Sequence, residues 1–85
     1  MAAGYDDIAE WFDWGLSAEK AYMIVWCDMF DYDDYPAYYE DKDAAQAALD
    51  SPSSMQRAME CYDLNSDRDT QLDKTRAWAL KRNYS

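Results

Sequence analysis

Apolar side chains recur at helical spacing near the start of the chain. Ile8, Trp11 and Phe12 fall at i, i+3 and i+4, with Leu16 a turn later, while Asp7, Glu10 and Asp13 take the other side. This pattern predicts a first helix over 5–15. Asp6 or Asp7 suits the positive end of its dipole, and Gly15 is placed to stop it. Trp14 lies off the apolar face.

The run Tyr22 to Cys27 fits two descriptions. A helix begun at Ser17 would gather Tyr22, Val25, Trp26, Met29 and Phe30 on one face; a strand would be buried on both sides. Pro36 favours the strand, because proline penalises helix interiors and pushes the residue before it towards extended geometry. The reading is a hairpin: strand 21–30, turn near 31–34, strand 35–40, with Pro36 on an edge. Lys42 to Leu49 is alanine-rich and predicts a helix. Ser51-Pro52-Ser53 then offers a first-turn proline and capping serines to a further helix. There Met55, Ala58, Met59 and Tyr62 recur at i, i+3, i+4 and i+7. A last helix over about 67–82 carries Leu72, Trp78, Ala79 and Leu80 and closes on Lys81 and Arg82, cations that suit a helix C-terminus. The expected fold is α+β: one antiparallel β-hairpin with three to four short helices around it. It forms a single small domain over 1–85, in which 1–16 reads as an N-terminal helical addition.

Charge changes the picture most. The chain has 85 residues, 18 acids, 8 bases and no histidine, a formal charge of −10. Residues 1–50 hold a net −11 and residues 51–85 a net +1. Such a surface does not bind a nucleic-acid backbone directly, which takes cations that displace counterions. At 49% apolar and 16% aromatic the chain is too hydrophobic for a disordered acidic tail. Its longest apolar run, Ala21 to Cys27, is far below the ~20 residues of a membrane span. No basic, then apolar, leader is visible, so the expected location is the cytoplasm. Cys27 and Cys61 read as small buried hydrophobes in a reducing compartment.

Catalytic constellations are hard to draw. Without histidine, base catalysis would fall to a carboxylate or lysine, and a cysteine nucleophile would lack its usual partner. Two glycines, Gly4 and Gly15, do not make a phosphate loop, and no zinc-type cysteine pair is present. Asp63, Asn65, Asp67 and Asp69 fall at positions 1, 3, 5 and 7 of a calcium-loop frame. Arg68 stands where a glycine is needed and Lys74 where a bidentate glutamate should close the shell. The expectation is a non-enzyme with no metal and no cofactor.

What remains is an acidic, aromatic surface. Asp28, Asp31, Asp33, Asp34, Glu40, Asp41 and Asp43 fall within sixteen residues, interleaved with Tyr32, Tyr35, Tyr38 and Tyr39. Alternate residues of a strand lie ~6.5–7 Å apart, close to the spacing of successive phosphates on one strand. Carboxylates so ranked would meet the lysines and arginines of a DNA or RNA groove as phosphate surrogates, with Trp14, Tyr32 and Tyr35 as aromatic anchors. Trp11, Phe12, Trp26 and Phe30 are assigned to the core.

The strings YMIVWCDMFDYDDYPAYY (22–39) and MQRAMECYDL (55–64) resemble a group of small bacteriophage-encoded proteins. The shared features are the hydrophobic run, Cys27-Asp28-x-Phe30, Asp34-Tyr35-Pro36 and Met55-Gln56-Arg57-x-Met59. The resemblance covers about a third of the chain and implies no particular activity. In composition the chain is also similar to phage anti-CRISPR and anti-restriction proteins, many of which block nucleic-acid sites. The expected function is therefore a phage-type inhibitor of a host defence nuclease, a Cas effector or restriction enzyme, that occupies a basic groove as a nucleic-acid mimic. The alternative is an interaction module that uses exposed aromatics on another kind of partner.

Overall fold

The computed structural model describes residues 4–83, and of residues 77–83 the backbone alone. Chain order is α1 (Tyr5–Ser17), β1 (Tyr22–Asp28), β2 (Asp34–Tyr39), α2 (Lys42–Asp50), β3 (Gln56–Asp63) and α3 (Arg68–Asn83). The strands form one sheet in the order β2-β1-β3, with β1 antiparallel to both neighbours. The fold is α+β, with three strands and three helices among the described residues. The two edge strands therefore run parallel to each other, joined by α2 crossing one face.

β1 is the apolar run because it is covered on both sides. Met23 and Val25 face Ile8 and Phe12 of α1, Tyr62 and Leu64, and Leu72 of α3. Ile24 and Trp26 face Ala45, Ala48 and Leu49 of α2. Helices on both faces leave no room for a polar alternation, so Met23 to Cys27 are all buried. Residues 5–16, read from the sequence as an addition, supply Ile8 and Phe12 to this core.

The expected hairpin is present, although β1 ends at Asp28 and Asp34 lies in β2 and not in the turn, and Pro36 sits on an edge strand, where its missing N–H does least harm. Four local expectations need correcting. Gly15 does not end α1, which runs on to Ser17; it is buried between Leu64 and Tyr38. Leu16 is exposed. Pro52 starts no helix, because residues 52–53 lie in irregular backbone between α2 and β3. Of the stripe Met55, Ala58, Met59, Tyr62, the last three belong to a strand, β3, and Met55 lies in the turn before it.

The reason for that last error is a β-bulge. Val25 pairs with Glu60 and Trp26 with Ala58, so Met59 is an extra residue in β3. Past a bulge the period of two is broken, and Met59 and Tyr62, three apart, reach the same core face. A strand thereby acquires helical spacing. Of the last helix, Leu72 is buried as expected, while the Trp78, Ala79, Leu80, Lys81 and Arg82 side chains lie outside the described residues.

The outer edge of β3 is closed by side chains. Cys61 turns its backbone groups away from β1: its N–H donates to Glu60 Oε1 (3.2 Å) and its carbonyl accepts from Lys74 Nζ of α3 (3.1 Å). The Asp63 N–H donates to Gln71 Oε1 (3.0 Å). An unpaired edge strand invites pairing with another chain, and these contacts occupy the groups that would do it.

Candidate protein-binding site at the hairpin tip

The turn between β1 and β2 is a closed six-residue unit. The Asp28 N–H donates to the Asp33 carbonyl (2.8 Å), and the Tyr32 N–H to the Asp28 carbonyl (2.7 Å). Two carboxylates brace it from inside: Asp28 Oδ1 accepts from the Phe30 N–H (2.8 Å) and Asp31 Oδ1 from the Asp33 N–H (3.0 Å). Such Asx turns are what aspartate offers a tight loop. Tyr32 takes the left-handed conformation (φ 62°), which costs a non-glycine residue about 1–2 kcal/mol. The Met29 N–H donates to the Met55 carbonyl (2.8 Å), tying the turn to the segment that leads into β3.

This turn carries large exposed apolar side chains. Phe30 is 82% exposed and Tyr32 62%, with Met29 and Met55 beside them. Phe30 is therefore not a core residue as its place in the sequence suggested. It lies two residues beyond the end of β1, outside the helix layers that bury the strand. The sequence signal for it was the acidic turn itself, which marks where the sheet stops. Asp31 and Asp33 are exposed on the same turn.

The seven acids do not form one file. Only Asp34, buried at its first position, lies on β2; the rest of the strand is Tyr35, Pro36, Ala37, Tyr38 and Tyr39, and the other acids flank it. Asp28, Asp31, Asp33 and Asp34 gather at the tip, with Asp28 half-buried and Asp34 buried. Glu40, Asp41 and Asp43 lie past the far end of β2, about 17 Å away by strand rise. Glu40 pairs there with Lys20, and Asp41 Oδ1 caps α2 by accepting from the Ala44 N–H (2.8 Å). The ~6.5–7 Å strand ladder of phosphate surrogates is thus replaced by two acidic ends.

The expected anchors separate too. Tyr32 is on the tip. Tyr35 is half-buried against the Ile24/Trp26/Ala45 layer, with its hydroxyl hydrogen-bonded by Gln56 Nε2. Trp14 is exposed, but on the last turns of α1, near the opposite end of the sheet. Tyr38 and Tyr39 are likewise structural. The Tyr38 hydroxyl donates to the Trp11 carbonyl (2.6 Å), and burial holds its phenol above the usual pKa. The Tyr39 hydroxyl accepts from Trp26 Nε1 (3.2 Å).

The remaining candidates fare as follows. A shallow polar cavity of about 450 Å³ opens at the far end, lined by Leu16, Glu19, Lys20, Ala21, Glu40 and Asn65. The calcium-like frame is spent on local structure. Asp63 Oδ1 accepts from the Asn65 N–H, and Asp67 Oδ2 caps α3 through the Thr70 N–H (3.0 Å) and hydroxyl (2.8 Å). Among the described residues no group of three or more His, Cys, Asp or Glu side chains could hold a metal. Cys27 and Cys61 are both thiols, and burial raises the Cys61 pKa against the opposing pull of Lys74. Among the described residues no helix is long and apolar enough to cross a membrane.

Comparison with protein-family models, curated proteins and solved structures gives no match.

Proposed function

We propose that the protein is a non-catalytic, stoichiometric inhibitor that binds the cationic surface of a nucleic-acid-binding protein, of the kind a phage would direct at a Cas effector or restriction enzyme. The observation that carries this reading is the tip itself. A braced turn displays Phe30 and Tyr32 with the exposed Asp31 and Asp33, on a chain of net charge −10. The excess of anions would steer encounter with a basic groove, while the rings would hold contact once water is expelled.

The contact surface is smaller than a phosphate ladder. The two exposed tip acids, Asp31 and Asp33, would engage the groove at one point, and the second acidic end, at Glu40, Asp41 and Asp43, would contribute mainly through its field. Displacement of labelled duplex DNA from a panel of guided and restriction nucleases tests the function. The wild-type chain should displace DNA at near-equimolar amounts from at least one of them. The Asp31→Lys, Asp33→Lys variant should not, with its circular dichroism unchanged. Displacement by both chains alike would exclude the tip.

The large exposed area of Phe30 also supports a module for some other partner. Binding of that kind would lean on the rings and change little between low and moderate salt, whereas groove binding should weaken steeply.

A further inference from the structure

Carboxylates alone attract lysine and arginine alike; aromatic rings discriminate between them. A guanidinium is planar and weakly hydrated. It can lie flat on a ring while its edge donates two parallel hydrogen bonds to a carboxylate. An ammonium is compact and strongly hydrated, and it gives up more of its water to reach the same place.

The tip offers both halves of that arrangement. Phe30 and Tyr32 flank Asp31 in the chain, and Asp33 follows; all four are exposed. Met29 and Met55, 37% and 47% exposed beside the turn, add adaptable apolar surface suited to the methylene stem of a long cation. The backbone of the turn is fixed by the Asp28–Asp33 and Tyr32–Asp28 hydrogen bonds, and the Met29–Met55 bond joins it to the neighbouring segment. Little backbone ordering is left to be done on binding. The negative charge of the chain, concentrated in residues 1–50, fixes the sign of the occupant.

We propose that the hairpin tip is a recognition site for arginine side chains, and that its occupant is an arginine-rich protein segment. This rests on the reading of a cationic partner above and narrows it. Each guanidinium stacks on Phe30 or Tyr32 and donates to Asp31 or Asp33, and its stem lies along Met29 or Met55.

Calorimetric titration of the whole chain with nona-arginine and with nona-lysine, at equal ionic strength, tests it. The arginine peptide should bind about tenfold more tightly, the size of one stacked cation. In Phe30→Ala, Tyr32→Ala both peptides should bind weakly and alike. Because Tyr32 has a positive φ, Phe30→Ala, Tyr32→Gly serves as a second variant with the rings removed and the turn relaxed. Equal affinity of the wild type for both peptides, no binding of either, or a preference that survives loss of the rings would overturn the inference. Equal affinity combined with continued displacement of DNA from a nuclease would leave the inhibitor reading standing and remove only the arginine site.

Discussion

Tyr38 lies across Gly15. A Cβ at position 15 would stand 2.8 Å from Tyr38 Cε1 and 2.8 Å from Leu64 Cδ1. The ring cannot swing aside cheaply, because its hydroxyl is anchored on the Trp11 carbonyl one turn back along the same helix. The glycine in α1 is thus a packing requirement that lets β2 approach the helix. Gly15→Ala gains about 1 kcal/mol of helix propensity and loses about 1–3 kcal/mol to overpacking. The expected net result is destabilisation, read as a lower urea midpoint at unchanged m.

Glu19 shows the opposite case. It follows α1 with a φ of 58°, the left-handed position where helices commonly end on glycine. The Lys20 N–H donates to the Gly15 carbonyl (3.0 Å) and the Glu19 N–H to that of Leu16 (3.1 Å), closing the helix as such a motif should. Glu19→Gly should therefore raise the melting temperature, by the equivalent of about 1 kcal/mol. A fall would show that the exposed Glu19 side chain makes contacts that outweigh its backbone.

Lys74 seals the β3 edge. Lys74→Ala removes the donor from the Cys61 carbonyl and should cost about 0.5–1.5 kcal/mol. It also exposes strand edge, so light scattering should show self-association that rises with concentration and is absent in the wild type.

Asp67 gives acid sensitivity a defined sign. Hydrogen bonds from the Thr70 N–H, and then from its hydroxyl, hold this carboxyl below the usual aspartate pKa. A depressed folded-state pKa adds stability above the unfolded value, and that contribution is lost as pH falls through the folded one. Asp67→Asn keeps a capping oxygen but cannot titrate. Between about pH 5 and about pH 2 its melting temperature should therefore fall less than the wild type's.

The hairpin, α1, α2 and α3 were legible because each has a local cause. These are an amphipathic stripe with Ile8 and Phe12, a proline that breaks Tyr35 to Tyr39 away from any helix, an alanine run, and a last apolar stretch from Leu72 that closes on the cations Lys81 and Arg82. β3 was not legible. Its bulge at Met59 gives a strand the i, i+3 spacing of a helix, and a bulge is a property of the pairing with β1. Phe30 was misplaced for a related reason. Its apolar character reads as core until the sheet's end is located, two residues earlier at Asp28. The acidic cluster was visible as composition, but its division into two ends depends on residues 35–39 of β2 carrying no acid, with the carboxylates left to the strand ends, the turn and the α2 cap.

The most direct measurement is amide chemical-shift mapping of the labelled chain during titration with nona-arginine. If the hairpin tip is the contact surface, the largest shifts should fall on residues 28–33 and on Met55, whose carbonyl bonds to Met29. Glu40, Asp41, Asp43 and the exposed face of α1 around Trp14 should move little. Shifts centred on either of those regions, with 28–33 unmoved, would contradict the assignment.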